Sequence, residues 1–216
     1  MDNLGPVTAV VDTVLHMRWD NLFDDLESQL ESGLTAEDLD LQAEEERLRL
    51  GRLSVRDRLA ALLAADSWGS GSDIRVLLNG GEAITVHPAA LGKDWLSGDV
   101  VDETPTRHQC IVPIAAVGGI VLQPAQVAAS LSGVESAVPT GELSARLSLA
   151  FVLRDLCRRR QGVELDLVDG SVHGTIDRVG RDHLDIAVHE RGTPRRESAV
   201  QQHRLVPFAQ LRLIRI

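Results

Sequence analysis

The chain has 216 residues, 44% of them hydrophobic, with 32 acidic against 22 basic side chains and a formal net charge of -10. That length allows one large domain or two small ones with a real core, and no apolar run is long enough for a membrane-spanning helix. The acid excess is uneven: residues 1–66 hold 15 acids and 6 bases, 67–141 hold 7 and 3, and 142–216 hold 10 and 13, so only the last third would attract nucleic acid.

Residues 1–16 read as a detached segment or an upstream extension, with a native start at Met17 compatible with the pattern. No basic segment leads into an apolar stretch and cleavage site, so no secretion signal is expected. Cys110 and Cys157 form no CxxC pair and are expected to be reduced, buried thiols of a cytoplasmic protein. From Met17, Trp19, Leu22, Phe23, Leu26 and Leu30 fall on one helical stripe with acids on the other faces. That stripe predicts a helix docked on the rest of the chain or laid into a partner's groove. Thr35 or Asp38 would cap a second helix running through "LDLQAEEERLRLGRL".

An internal repeat follows. "LSVRDRLAALL" (53–63) matches "LSARLSLAFVL" (143–153) at a spacing of 90. Each is followed by a strand, "DIRVLLNGG" and "GVELDLVDG". Each then has a corner, Gly92-Lys93-Asp94-Trp95-Leu96 and Gly180-Arg181-Asp182-His183-Leu184. Each closes on a Val-Pro and an apolar tail. The strands are too short and too many for βαβ units. The expected division is an acidic helical head over 1–50, a first helix-plus-strands unit over 51–124, a Pro/Ser/Gly-rich linker over 125–141 and a second unit over 142–216. The polar stretch "ERGTPRRESAV" reads as a mobile loop in the second unit.

The second unit resembles the Sm-like small-barrel family. Asp169-Gly170, Gly174, Ile176, Val179, Asp182, Leu184 and Ile186 fit its first motif, and Leu205 through Ile214 its second. The resemblance covers about 53–124 and 143–216. The first unit is degenerate, with Ala83, Ile84 and Thr85 near the motif glycine's place and Pro88 interrupting its second strand. The resemblance implies an α+β fold of two tandem helix-plus-five-stranded Sm-like (SH3-like) barrels behind the helical head. It also implies association through the open edges of the fourth and fifth strands. In RNA-binding members a base-stacking ring falls where Trp95 and His183 stand, an Asn where Ser97 and Asp185 stand, and an Arg-Gly pair where Val112-Pro113 and Val206-Pro207 stand.

No G-x-S-x-G, P-loop or H-E-x-x-H motif is present, and the histidines show no helical pairing suited to a metal. No catalytic residue, metal or cofactor is therefore expected, and no small-molecule substrate. The first functional expectation is a non-catalytic interaction or assembly protein, self-associating or binding a protein partner. The alternative is an RNA-binding regulator. It would use the rings of Trp95 and His183, the flanking Lys93, Arg181 and Asp185, and the loop arginines Arg191, Arg195 and Arg196.

Overall fold

A computed structural model of the chain describes residue 26 and residues 38–64, 73–101, 108–132 and 143–216. It divides into two units, Met1–Arg52 and Leu53–Ile216. In the first, residues 38–52 form helix α1. Leu26 is helical and half-exposed, while Trp19, Leu22, Phe23 and Leu30 of the expected stripe lie outside the described residues.

The second unit holds ten strands: β1 (Ile74–Leu78), β2 (Ala83–Leu91), β3 (Trp95–Val100), β4 (His108–Pro113), β5 (Val117–Val121), β6 (Gly162–Leu167), β7 (Gly170–Val179), β8 (His183–Val188), β9 (Gln202–Pro207) and β10 (Leu211–Arg215). Its helices are α2 (Val55–Ala64), α3 (Pro124–Leu131) and α4 (Leu149–Arg158). No helix among the described residues is long and apolar enough to cross a membrane.

The expectation of two five-stranded barrels is corrected. All ten strands form one antiparallel sheet in the order β5-β1-β2-β3-β4-β10-β6-β7-β8-β9. Strands β4 and β10, which two separate barrels would leave as edges, pair with each other, Ile111 opposite Ile214 and Cys110 opposite Arg215. The backbone N–H of Ile216 extends that ladder to the carbonyl of Gln109 at 2.9 Å. Pairing satisfies two rows of backbone donors and acceptors that would otherwise face solvent. Alternation in the sequence specifies each strand and hairpin locally, but nothing in it says which edges meet.

Within the sheet the repeat is visible strand by strand. Each half contributes five consecutive places, and β2 and β7 bulge at matching points, Pro88/Ala90 against β3 and Ile176/Arg178 against β8. Pro88 therefore does not interrupt its strand: it sits at the bulge, where a missing N–H costs the ladder least.

The helix match is corrected by one turn. α2 and α4 are each ten residues long, and each follows an Arg-Leu-Ser, Arg52-Leu53-Ser54 and Arg146-Leu147-Ser148. They bury Leu59 and Leu62 in one case and Leu153 and Leu156 in the other. Leu53–Val55 thus corresponds to Leu147–Leu149. Part of the expected linker is helix α3, with Pro124 at its first position and a Gln123–Gln126 capping box, an arrangement suited to a helix start.

Two apolar clusters lie in the unit, and each borrows from the other half. Leu59, Leu62, Ile74, Val76, Val86 and Leu96 gather with Leu213 of β10. Leu149, Leu153, Val163, Leu165, Leu184 and Ile186 gather with Trp95 and Ile111 of the first half.

Candidate assembly edges and the corner at Trp95

The sheet ends on two strands whose repeat counterparts form its central joint. Among the described strands, β5 pairs with β1 alone and β9 with β8 alone. By position in the repeat, β9 corresponds to β4 and β5 to β10. The difference shows in burial: Ile111 on β4 is 3% exposed and its counterpart Leu205 on β9 is 62% exposed. Val121, at the end of β5, is also an exposed apolar residue. Ile120 is partly buried, whereas its counterpart Ile214 is fully buried.

The corner before β3 fastens the joint from the side. Trp95 is 6% exposed, and its Nε1–H donates to the carbonyl of Leu147 at 3.0 Å. The backbone N–H of Lys93 donates to that same carbonyl at 2.9 Å. The Oδ1 of Asp94 accepts the backbone N–H of Leu149 at 2.7 Å. Ser148, the N-cap residue of α4, makes no side-chain cap bond of its own, so Asp94 from the first half caps the helix of the second. Arg56 adds donations to the carbonyls of Gly92 (2.9 Å) and Ala145 (3.3 Å).

The second corner has the same backbone, and Arg154 donates to its Gly180 carbonyl at 3.2 Å, but among the described residues no helix start is bonded to it. Gly92 N–H donates to the Trp95 carbonyl at 2.8 Å, and Gly180 N–H to the His183 carbonyl at 2.9 Å. Ile114 and Phe208 donate in the same way to the carbonyls of Asp94 and Asp182. In both corners the ring folds back over the glycine: a Cβ would lie 2.1 Å from the ring at Gly92 and 2.5 Å at Gly180. His183 is half-buried, and its Nδ1 lies 2.9 Å from Asp182 Oδ1, whose carboxylate is 85% exposed. That contact, followed by its Coulombic attraction, holds Asp182 below the usual carboxylate range.

Of the residues singled out for RNA, Lys93 and Trp95 stand at the first corner, Arg181, His183 and Asp185 at the second, and Arg191, Arg195 and Arg196 in the stretch after β8. The Trp95 ring is in a core cluster and 6% exposed, and with Ser97 it lines a cleft of about 250 Å³. Lys93 and Arg181 are exposed at their corners, and Asp185 lies 3.7 Å from Arg178. Arg191 pairs with Glu164. Arg195 grips Asp177 through two bonds of 2.7 Å, and Arg196 is exposed ahead of the short 3-10 turn Glu197–Ala199. The polar stretch expected to be mobile is thus pinned at two points. Asp177 also takes Arg160 at 3.3 Å and has His203 at 3.8 Å. The Arg195 bonds are the main reason its carboxyl is held below the ordinary range.

At the joint the acids and bases are shared between halves. Glu82, ahead of β2, pairs with Arg212 of β10 and lies 3.9 Å from Arg215. Arg215 binds Asp166 at 2.5 Å. Burial still raises Asp166 above its ordinary value, with Arg215 pulling the other way. Beside these groups a cleft of about 230 Å³ is lined by His108, Glu164, His173, Arg191 and Arg215. His173 faces His189 edge-on, with ring centroids 5.5 Å apart. Burial, then the charges of His189 and Arg191, lowers its pKa. Among the described residues no cluster of three or more His, Cys, Asp or Glu side chains could hold a metal.

Sequence reasoning overlooked Asp94 as a cap, the Leu147–Leu149 segment it holds, and the exposed Leu205. The repeated Arg-Leu-Ser ahead of each helix was the available signal. Comparison with protein-family models, curated proteins and solved structures found no match.

Proposed function

We propose that this chain is a non-catalytic assembly protein whose copies join by adding the β9 edge of one to the β5 edge of the next. The observation that carries this reading is the contrast between Leu205 and Ile111, the same place in the repeat left open once and covered once. The contact is head-to-tail, so successive copies close into a ring or extend as a filament. An open strand edge left unpaired in a monomer, here with Leu205 exposed on it, is an association hazard, and assembly resolves it. The same reading places the protein in the cytoplasm, a setting that suits its free thiols Cys110 and Cys157.

The RNA-binding alternative has less support. It retains the His183 ring, but the Trp95 ring is internal and two of the three loop arginines are neutralised by acids. Multi-angle light scattering across a wide concentration range tests the proposal. A mass above one chain that rises with concentration is expected; a single-chain mass throughout overturns it.

A further inference from the structure

The joint inside the chain is a two-part contact, a strand pairing and a corner gripping a helix start. Each part has a second copy of each partner in the chain, and among the described residues these copies do not pair with each other. The corner Gly92–Trp95 holds Leu147–Leu149 through the Lys93 N–H, the Trp95 indole and the Asp94 carboxylate. Its counterpart Gly180–His183 has the same backbone bonds and an exposed Asp182 carboxylate. The counterpart of the gripped segment is Leu53–Val55. Ser54 and Val55 are exposed there.

The start of α2 is only partly capped from within. Ser54 Oγ accepts the Asp57 N–H at 3.1 Å, and Asp57 Oδ2 accepts the Ser54 N–H at 3.0 Å. That box serves the N-cap and third-position donors; the Val55 N–H corresponds to the Leu149 N–H that Asp94 takes in the other half. The second corner and this helix start lie in the repeats that carry β9 and β5, respectively. Pairing those edges would therefore bring corner and helix together in the relation already present once.

Resting on the edge-to-edge reading above, we infer that the Gly180–His183 corner of one copy grips the Leu53–Val55 segment of the next. Asp182 accepts the Val55 N–H, the Arg181 N–H reaches the Leu53 carbonyl, and the His183 ring packs where the Trp95 indole lies, its Nδ1–H staying with Asp182 Oδ1. The occupant is a second copy of this chain. The smaller ring makes this grip weaker than the internal one, which suits a reversible contact between copies beside a permanent one within each.

Val55→Pro tests this cleanly. Proline is well accepted at the first position of a helix, so the monomer keeps α2 while losing the one N–H that Asp182 takes. Sedimentation equilibrium of the full chain should show association weakened by about fivefold in Val55→Pro and in Asp182→Ala, the size of one lost helix cap. The double variant should be little weaker than either single one, and His183→Trp should tighten association. Circular dichroism and thermal melts confirm that each variant is folded; should Val55→Pro lose α2, Asp182→Ala and His183→Trp carry the test. If Leu205→Lys dissociates the assembly while the corner variants leave it unchanged, the grip is wrong and the edge pairing stands. If the wild-type chain never associates, both are wrong.

Discussion

Trp95 and Leu147 lie 52 positions apart, yet the indole Nε1–H of the first donates to the carbonyl of the second at 3.0 Å. A ring that could be mistaken for a binding platform is therefore a fastener between the halves of one sheet. Trp95→Ala should destabilise the folded chain by about 3–5 kcal/mol, the range for emptying a buried large side chain. Trp95→Phe keeps most of the packing and loses the donor, so it should cost less than Trp95→Ala while leaving the Leu147 carbonyl one partner short. Equilibrium denaturation in urea measures both. A Trp95→Ala chain as stable as wild type would contradict the buried placement.

Asp94→Ala removes a cap supplied across the joint and should cost about 1 kcal/mol. Its effect should appear as faster hydrogen exchange in the first turn of α4, Leu149 to Val152, with β1 and β2 unchanged. Equal exchange in both proteins would show that Asp94 does not cap this helix.

The pinned loop gives a pH prediction. Asp177 is held below its ordinary pKa chiefly by Arg195, so its folded value lies under its unfolded one. The stabilisation is complete above the unfolded value and is lost as pH falls through the folded value. Exchange protection between Arg195 and Val200 should therefore hold at neutral pH and fade on acidification below the ordinary carboxylate range. Asp177→Asn should show the same loss already at pH 7, with a stability cost of about 1–3 kcal/mol for the charged hydrogen bonds. Protection that is unchanged in Asp177→Asn would count against the pinning.

The two thiols should differ in reactivity. Cys110 is 1% exposed, and burial pushes its thiol up to about 11, which leaves little thiolate at neutral pH. Cys157 is partly exposed on α4. A thiol-labelling time course at pH 8 should modify Cys157 first and Cys110 only as the sheet opens. Equal rates in the folded protein would contradict the buried position of Cys110.

Much of the sheet is legible in the sequence because strands and hairpins are local. The stretch "GVELDLVDG" yields β6, the alternation that follows it to Val188 yields the hairpin β7 and β8, and the repeated corner marks where β3 and β8 begin. The joint is not local. Ile111 and Ile214 pair across 103 positions, and no pattern at either strand distinguishes a covered edge from an open one. The helix register was masked by coincidence, since Leu-Ser-x-Arg recurs at 53 and 143, one turn away from the structural match at Arg52-Leu53-Ser54 and Arg146-Leu147-Ser148. The candidate site suffered most, because a ring at a strand corner reads the same whether it meets solvent, as half of His183 does, or a neighbouring helix, as Trp95 does. Arginine spacing likewise reveals nothing of the acids that neutralise Arg191 and Arg195.

The most direct test of edge-to-edge assembly places a charge on the open edge strand and, separately, at an equally exposed apolar position off that strand. Leu205 is 62% exposed on β9 and Val168 is 59% exposed in the turn between β6 and β7, so neither substitution should unfold the monomer. Sedimentation velocity of wild type, Leu205→Lys and Val168→Lys at matched concentrations compares them, since a lysine on an edge strand opposes strand addition. Wild type and Val168→Lys should sediment as assemblies and Leu205→Lys as a single chain. An assembly that survives Leu205→Lys unchanged, or a wild-type chain that sediments as one copy throughout, would contradict it.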